Sequence, residues 1–348
     1  MKKKSLKLLL TFANIAWIIG VIYIVTPKTM FSFSPTQSYQ NYLNQSINSK
    51  SEFRFKMPAQ KVSAFMRVKN EIETIDASLT SIDGLFDRIV LIHSNEKDDD
   101  GTTAFLHRWC AARDYCEVYE YPHTVYPSLS REYMDGQVPY ENSMAAYSNF
   151  GIDKFSPEEW IVNLDGDQVY IRERLAGLIQ KIKSNYPENA RTEYCMVGYN
   201  TFARNGVFVK VGSQPIMGTY CDHYATKRKN LKPYEARGYM TYILVQKGTK
   251  QRLERIPIWF HFKKTLKYPG RLKDKNTVNS EDVIPLKPQE IEVYQKYVAP
   301  YFTPNSPYHS DNLKFVDPEI NKKADYLEKK WAAHRKKAKV YEADLIMY

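Results

Sequence analysis

The first contrast along the chain is between uncharged and charged stretches. Leu8 to Val25 reads LLLTFANIAWIIGVIYIV, an uncharged run of about the length that crosses a bilayer as one helix. It is apolar all round and follows Lys2, Lys3, Lys4 and Lys7. It lacks the shorter core and A-x-A-like site of a cleaved signal peptide. The run predicts a membrane anchor over residues 1–27. Residues 28–57 are polar and aromatic without a period and read as a stem.

From Val62 onward, short apolar runs alternate with helically spaced ones. VSAFMRV is a strand closing at Arg67, and KNEIETIDASLTSI carries Ile72, Ile75, Leu79 and Ile82 at helical spacing. FDRIVLIHS is a second buried strand, followed by the loop NEKDDDGT, a helix from about Thr103 to Arg113 and a third strand in CEVYEYP. Residues 121–140 hold Pro122, Pro127, Gly136 and Pro139 and read as a long loop, with a short helix over Glu141 to Phe150 after it. In EEWIVNLDGDQVYI, a buried strand of Trp160, Ile161, Val162 and Leu164 runs into Asp165-Gly166-Asp167; Arg172 to Ser184 is an amphipathic helix. Further strands are expected in YCMVGYNTF, GVFVKVG, YMTYILVQ and IPIWFHF. The alternation predicts an α/β domain over residues 58–265 with a doubly wound, mostly parallel sheet. Residues 266–348 read as a basic, mostly helical extension, with Tyr294, Tyr297 and Tyr301 packing back onto the domain.

Composition narrows the partners. With 348 residues, 43% of them apolar, the chain can bury a full core. The formal charge of +11 favours anionic partners. No zinc-finger, RNP or basic-region pattern accompanies that charge, which argues against nucleic acid. Much of the charge lies at the two ends, near Lys2 and from Lys329 to Lys339, as for a chain held at a membrane surface. The 27 Tyr and 16 Phe suit a sugar-like ligand and equally an ordinary core, so they decide nothing. Cys110, Cys116, Cys195 and Cys221 contain no CxxC pair. Cys110 and Cys116 could join in an oxidising compartment, but the preferred reading is four small buried apolar residues.

The chemistry gathers at strand ends. Open α/β sheets bind ligands outside the carboxyl ends of their strands, where Asp165-Gly166-Asp167 stands. Two carboxylates there need a positive partner, and a divalent cation, Mn2+ or Mg2+, holding a diphosphate supplies one. A lone D-G turn closing a strand would mean little; the buried strand before this one shifts the reading to function. His261, in WFHFKK, follows an apolar strand, as a third metal ligand or as a core histidine. Lys263 and Arg271 after it could screen the diphosphate. Arg67, Asn70 and Glu71 at the mouth of the first strand could meet the base or phosphates, as could Ser94 and Asn95 at the end of the second. Glu96, Asp98, Asp100 and Gly101 match half of an EF-hand loop, but His107 stands where the last glutamate is required, so the loop reads as a helix cap. Asp222 and Glu235 are candidate bases, and Asp222 is the one selected.

At these residues the sequence resembles a known family. AFMRVKNEIETIDASLTSI followed by EEWIVNLDGDQVYI, with WFHFKK further on, is similar to the bacterial β-1,4-N-acetylgalactosaminyltransferases that build lipooligosaccharide outer cores. The likeness covers residues 58–185 well and 255–273 loosely. It implies a GT-A fold, a UDP-sugar donor, a glycan or glycolipid acceptor and an inverting displacement. It further implies metal and diphosphate contacts for Asp165 and Asp167, and metal contact for His261. The loop KDDDGT departs from the family's own loop, which leaves UDP-galactose and UDP-glucose open beside UDP-N-acetylgalactosamine. A membrane-tethered glycan-binding protein without turnover is the reading from another class. For location, a bacterial inner-membrane protein with cytoplasmic catalysis is favoured, because bacterial nucleotide sugars are cytoplasmic. The positive-inside rule and the sequon Asn44-Gln45-Ser46 would instead suit a type II lumenal topology.

Overall fold

The apolar runs form the middle of a seven-stranded sheet. In the computed structural model the described residues are 60–95, 99–126, 130–184, 190–204, 207–211, 216–217, 221, 223–237, 240–242, 244–262 and 283–315. The chain divides into two units, Met1–Met57 and Pro58–Tyr348, and every described residue belongs to the second.

In chain order the first half runs β1 (Val62–Val68), α1 (Ile75–Ile82), β2 (Arg88–Ser94), α2 (Thr102–Ala111), β3 (Cys116–Tyr121), α3 (Met144–Ile152), β4 (Trp160–Asp165), β5 (Gln168–Tyr170) and α4 (Arg172–Ser184). The second half is mostly short strands: β6 (Thr192–Cys195), β7 (Val197–Arg204), β8 (Val207–Val211), β9 (Ile216–Met217), β10 (Tyr224–Lys227), β11 (Glu235–Arg237), β12 (Met240–Tyr242), β13 (Lys250–Leu253), β14 (Trp259–Phe262) and β15 (Val283–Pro285). Helix α5 (Pro288–Tyr297) and β16 (Lys314–Phe315) close the described part.

The first sheet has the order β13-β6-β10-β4-β1-β2-β3. Strands β4, β1, β2 and β3 are parallel, and β10 enters antiparallel beside β4. Strand β1 is buried on both faces, as parallel strands between two helical layers are. Ala64 and Met66 pack with Ile75 and Leu79 of α1, Leu106 of α2 and Leu175 of α4. Phe65 faces the other way, into a cluster with Tyr147 and Ile152 of α3.

Helix α3 approaches the sheet closely at Gly151. A Cβ there would stand 2.3 Å from Phe65 Cε2 and 3.0 Å from Ile92 Cγ1. Gly151→Ala should therefore destabilise the domain by about 1–3 kcal/mol through overpacking, outweighing the gain of up to about 1 kcal/mol in helix propensity. A lower melting temperature checks this; an unchanged or higher one would show that Phe65 yields.

The second sheet, ordered β15-β8-β7-β14-β5, is a separate layer beyond the single sheet that the alternation predicts. It is mostly antiparallel, and β14 is parallel to β7. One face carries Val169, Phe260 and Phe262 into an aromatic core with Phe208, Tyr294, Phe302 and Tyr308. Lys210 of β8 is buried there against Glu290 of α5 and donates to both carboxylate oxygens, at 2.5 and 2.6 Å. Of the region expected to be basic and mostly helical, residues 283–315 hold α5 and two short strands that pair with β8.

Two expectations are corrected. No helix among the described residues is long and apolar enough to cross a membrane. The predicted transmembrane helix over Leu8 to Val25 lies outside those residues, so the described fold contains no spanning helix and gives no support to the single-span location, inner-membrane or lumenal. The cysteines are also not four buried thiols: Cys110 is bonded to Cys116 and Cys195 to Cys221. The first bond closes the short turn from α2 into β3. The second forms because Cys195 lies opposite Tyr224 in the β6–β10 pairing, which brings Cys221 alongside.

Candidate metal and donor site

Strand register assembles the site. In the parallel β1–β4 pair, Arg67 lies opposite Asp165, so both stand at the carboxyl edge of the first sheet. The chain then turns through Gly166 and Asp167 into β5, which belongs to the second sheet. There Gln168 lies opposite His261 of β14, and His261 in turn opposite Asn200 of β7. The Phe262 N–H donates to the Asp167 carbonyl at 2.8 Å and ties the turn to β14. The Asp-Gly-Asp turn is thus the junction of the two sheets.

Ligand atoms of Asp165, Asp167 and His261 all lie within 4.8 Å of one another, each partly open to solvent. His261 Nε2 is 2.9 Å from Asp167 Oδ1, and its Nδ1 is 3.0 Å from Asn200 Oδ1. With Nδ1–H donating to Asn200, Nε2 presents a lone pair to a carboxylate oxygen. Two acceptors at that distance need a proton or a cation between them. A hard divalent cation suits this donor set of two carboxylates and one oriented imidazole. Gly166 leaves room for Glu71, whose Oε2 would lie 1.9 Å from a Cβ at that position. A third carboxylate therefore backs the turn and raises its demand for positive charge.

Arg67 meets part of that demand. Its guanidinium is 3.6 Å from Asp165 Oδ1 and donates to Ser148 Oγ of α3 at 2.8 Å. His223 stands on the other side of Asp165, with Nε2 3.8 Å from Oδ2. Burial pushes its pKa down to about 4, against the pull of Asp165, so the ring is neutral at physiological pH. Burial, with Asp165 adding, holds the Tyr170 phenol well above its ordinary value, and it remains an O–H donor.

The other expected residues are distributed as follows. Asn70 takes a left-handed conformation, φ 52°, and its Oδ1 accepts from the Asp100 N–H at 3.3 Å. The Glu71 N–H donates to Thr102 Oγ1 at 2.8 Å, so the loop after β1 is laced to the start of α2. Asp99 accepts from the Thr103 N–H at 3.1 Å and Asp100 from the Thr102 N–H at 3.2 Å, satisfying first-turn donors of α2. Ser94 is buried at the end of β2. The Asn95 N–H donates to the Tyr121 carbonyl at 3.0 Å, and its own carbonyl accepts from Thr124. Asp222, Lys263 and Arg271 lie outside the described residues. Sequence reasoning missed His223, Gln168, Tyr170, Ser148 and Asn200. Only Gln168 and Tyr170 carried a signal, as polar groups just beyond the Asp-Gly-Asp turn.

A family model described as β-1,4-N-acetylgalactosaminyltransferase (CgtA) matches residues 34–298. No curated protein matches the chain. Among solved structures, glucosyl-3-phosphoglycerate synthase from Mycobacterium tuberculosis, in complex with Mn2+, UDP and phosphoglyceric acid, is 14% identical with a TM-score of 0.31, over 52% of this chain and 60% of that one. A mycobacterial protein is 14% identical with a TM-score of 0.35, over 60% and 69%. A 4-diphosphocytidyl-2C-methyl-D-erythritol synthase is 15% identical with a TM-score of 0.31, over 50% and 78%. The chain thus spans about 60% of the length of the glucosyl-3-phosphoglycerate synthase it matches.

Proposed function

The chain belongs to the β-1,4-N-acetylgalactosaminyltransferase (CgtA) family, a family of glycosyltransferases, and on that premise we propose that it moves a sugar from a UDP-sugar to a hydroxyl of a glycan or glycolipid acceptor. The sugar is proposed to be N-acetylgalactosamine, after the family's name. The observation that carries the reading is the convergence of Asp165, Asp167 and His261 at the carboxyl edge of the first sheet.

In this reading Asp165, Asp167 and His261 hold a divalent cation, Mn2+ or Mg2+. When bound, it supplies positive charge against the diphosphate of the donor and of the departing UDP. Asn200 keeps the His261 lone pair turned towards the carboxylates. Arg67, anchored by Ser148, offers further positive charge beside Asp165. Lys263 and Arg271 are proposed to meet the diphosphate, and Asn70, Glu71, Ser94 and Asn95 to line the nucleotide side. A carboxylate, proposed as Asp222, takes the proton of the acceptor hydroxyl as that oxygen attacks the anomeric carbon and the bond to UDP breaks.

Two measurements test this. UDP release by the full chain should appear with one UDP-sugar of a panel and vanish in EDTA. Release from none of them, or full turnover in EDTA, would refute the reading. His261→Ala should raise the Mn2+ concentration for half-maximal turnover at least about tenfold, with a smaller effect on thermal stability. The reverse pattern, a large fall in melting temperature with an unchanged Mn2+ requirement, would make His261 a core residue.

A further inference from the structure

Tyr170, Gln168 and His223 close a ring around Asp165. The Asp165 N–H donates to the Tyr170 hydroxyl at 2.9 Å, and that hydroxyl donates to Gln168 Oε1 at 2.8 Å. Gln168 Nε2 lies 3.1 Å from His223 Nε2, which faces Asp165 Oδ2 at 3.8 Å. The first three links are hydrogen bonds; the last is too long for one. Gln168 and Tyr170 are fully buried, and the His223 side chain is 11% exposed. Polar groups in a core are retained only with their bonds made, and a hydrogen-bonded chain of them admits one arrangement where apolar packing admits several.

The ring is also braced from behind. The His223 imidazole packs edge-to-face on the Trp259 indole, centroids 4.5 Å apart. That indole occupies the space where a Cβ on Gly198 would stand, 2.2 Å from Trp259 Nε1. Gln168, Tyr170, Trp259 and His261 share one face of the second sheet, because Gln168 lies opposite His261 and Tyr170 opposite Trp259.

We propose that His223, Gln168 and Tyr170 are positioning residues for the cation-binding carboxylate of Asp165. The Tyr170 link sets where the chain leaves β4. The His223 ring, backed by Trp259, fills the space beside Oδ2 and so limits the rotamers open to the carboxylate, whose Oδ1 faces Arg67. None of the three need touch cation or substrate. This inference rests on the reading of Asp165 as a cation ligand.

The test is Mn2+ binding to the full chain, followed by the electron paramagnetic resonance of free Mn2+, with a thermal melt of each variant. Tyr170→Phe deletes one oxygen and should raise the Mn2+ Kd about tenfold or more, the usual effect of losing an outer partner of a metal ligand. His223→Ala should do the same. His223→Gln, which can still accept from Gln168, should return the Kd to within about threefold of wild type. A role confined to holding the sheets together would lower the melting temperatures and leave the Kd unmoved. A Kd within twofold of wild type in Tyr170→Phe would overturn the proposal even if His223→Ala did not fold. Absence of Mn2+ binding by the wild-type chain would instead refute the cation site itself, and this proposal with it.

Discussion

Asp167→Asn should reduce turnover by about 10²–10⁴-fold while the protein stays folded. Asparagine keeps the shape of the side chain and removes its charge, so on the proposed reading the lost quantity is cation binding, which stabilises the departing charge by several kcal/mol. Asp167 is partly open to solvent and lies close to Asp165, near the turn that Glu71 backs. Removing one of several like charges relieves repulsion in the cation-free protein. The melting temperature in EDTA should therefore stay level or rise, and the rise on adding Mn2+ seen for wild type should shrink. A variant that keeps more than a tenth of wild-type turnover, or that unfolds in EDTA, would place Asp167 outside the cation site.

The largest effect on stability is expected away from the site, at Glu193. Its carboxyl is buried in β6, where it accepts a hydrogen bond from Gln251 Nε2 at 2.7 Å. Burial pushes its pKa up to about 7, against the lowering effect of that bond. The folded chain thus holds a proton that the unfolded chain, with an ordinary glutamate near 4.5, gives up. Below pH 4.5 both states are protonated and the group costs nothing. Between 4.5 and 7 stability falls as pH rises, and above 7 the full penalty of up to about 3 kcal/mol is present. Glu193→Gln keeps an acceptor for Gln251 and removes the titration. It should melt several degrees above wild type at pH 8 and close to it at pH 4.5. Equal melting temperatures at pH 8 would show that Glu193 is ionised without penalty in the folded chain.

Strands β1, β2 and β4 at the middle of the first sheet were legible because each is a contiguous apolar run. VSAFMRV, RIVLIHS and WIVNLD coincide with β1, β2 and β4, and the spacing from Arg172 to Ser184 coincides with α4. Between Glu141 and Phe150 the single expected helix is instead a 3-10 turn at Tyr140–Asn142 followed by α3 from Met144. Ser143 is the reason: its hydroxyl accepts from the Ala146 N–H, a side-chain cap that starts α3 one residue later. The three side chains that converge, Asp165, Asp167 and His261, were legible in the same local way, as acids at the end of a buried strand and a histidine at the end of another.

The residues around those ligands were not, since they are brought in by pairing between distant segments. His223 reaches Gln168 across 55 positions, and Ser148 reaches Arg67 across 81. Strand β5 is three residues long, too short for a period to declare it, and it owes its place to β14. By itself the sequence determined the strands and helices that carry a clear period, which strand ends carry acid, and that the acids require positive charge. Side-chain period and the desolvation of charge are properties of a segment and of a single group. The tertiary structure decided the second sheet, the two disulfides, the Asn200 contact that orients His261, and the ring of Tyr170, Gln168 and His223. Each of these depends on a register between strands far apart in the chain, and register is set by the packing of the whole core.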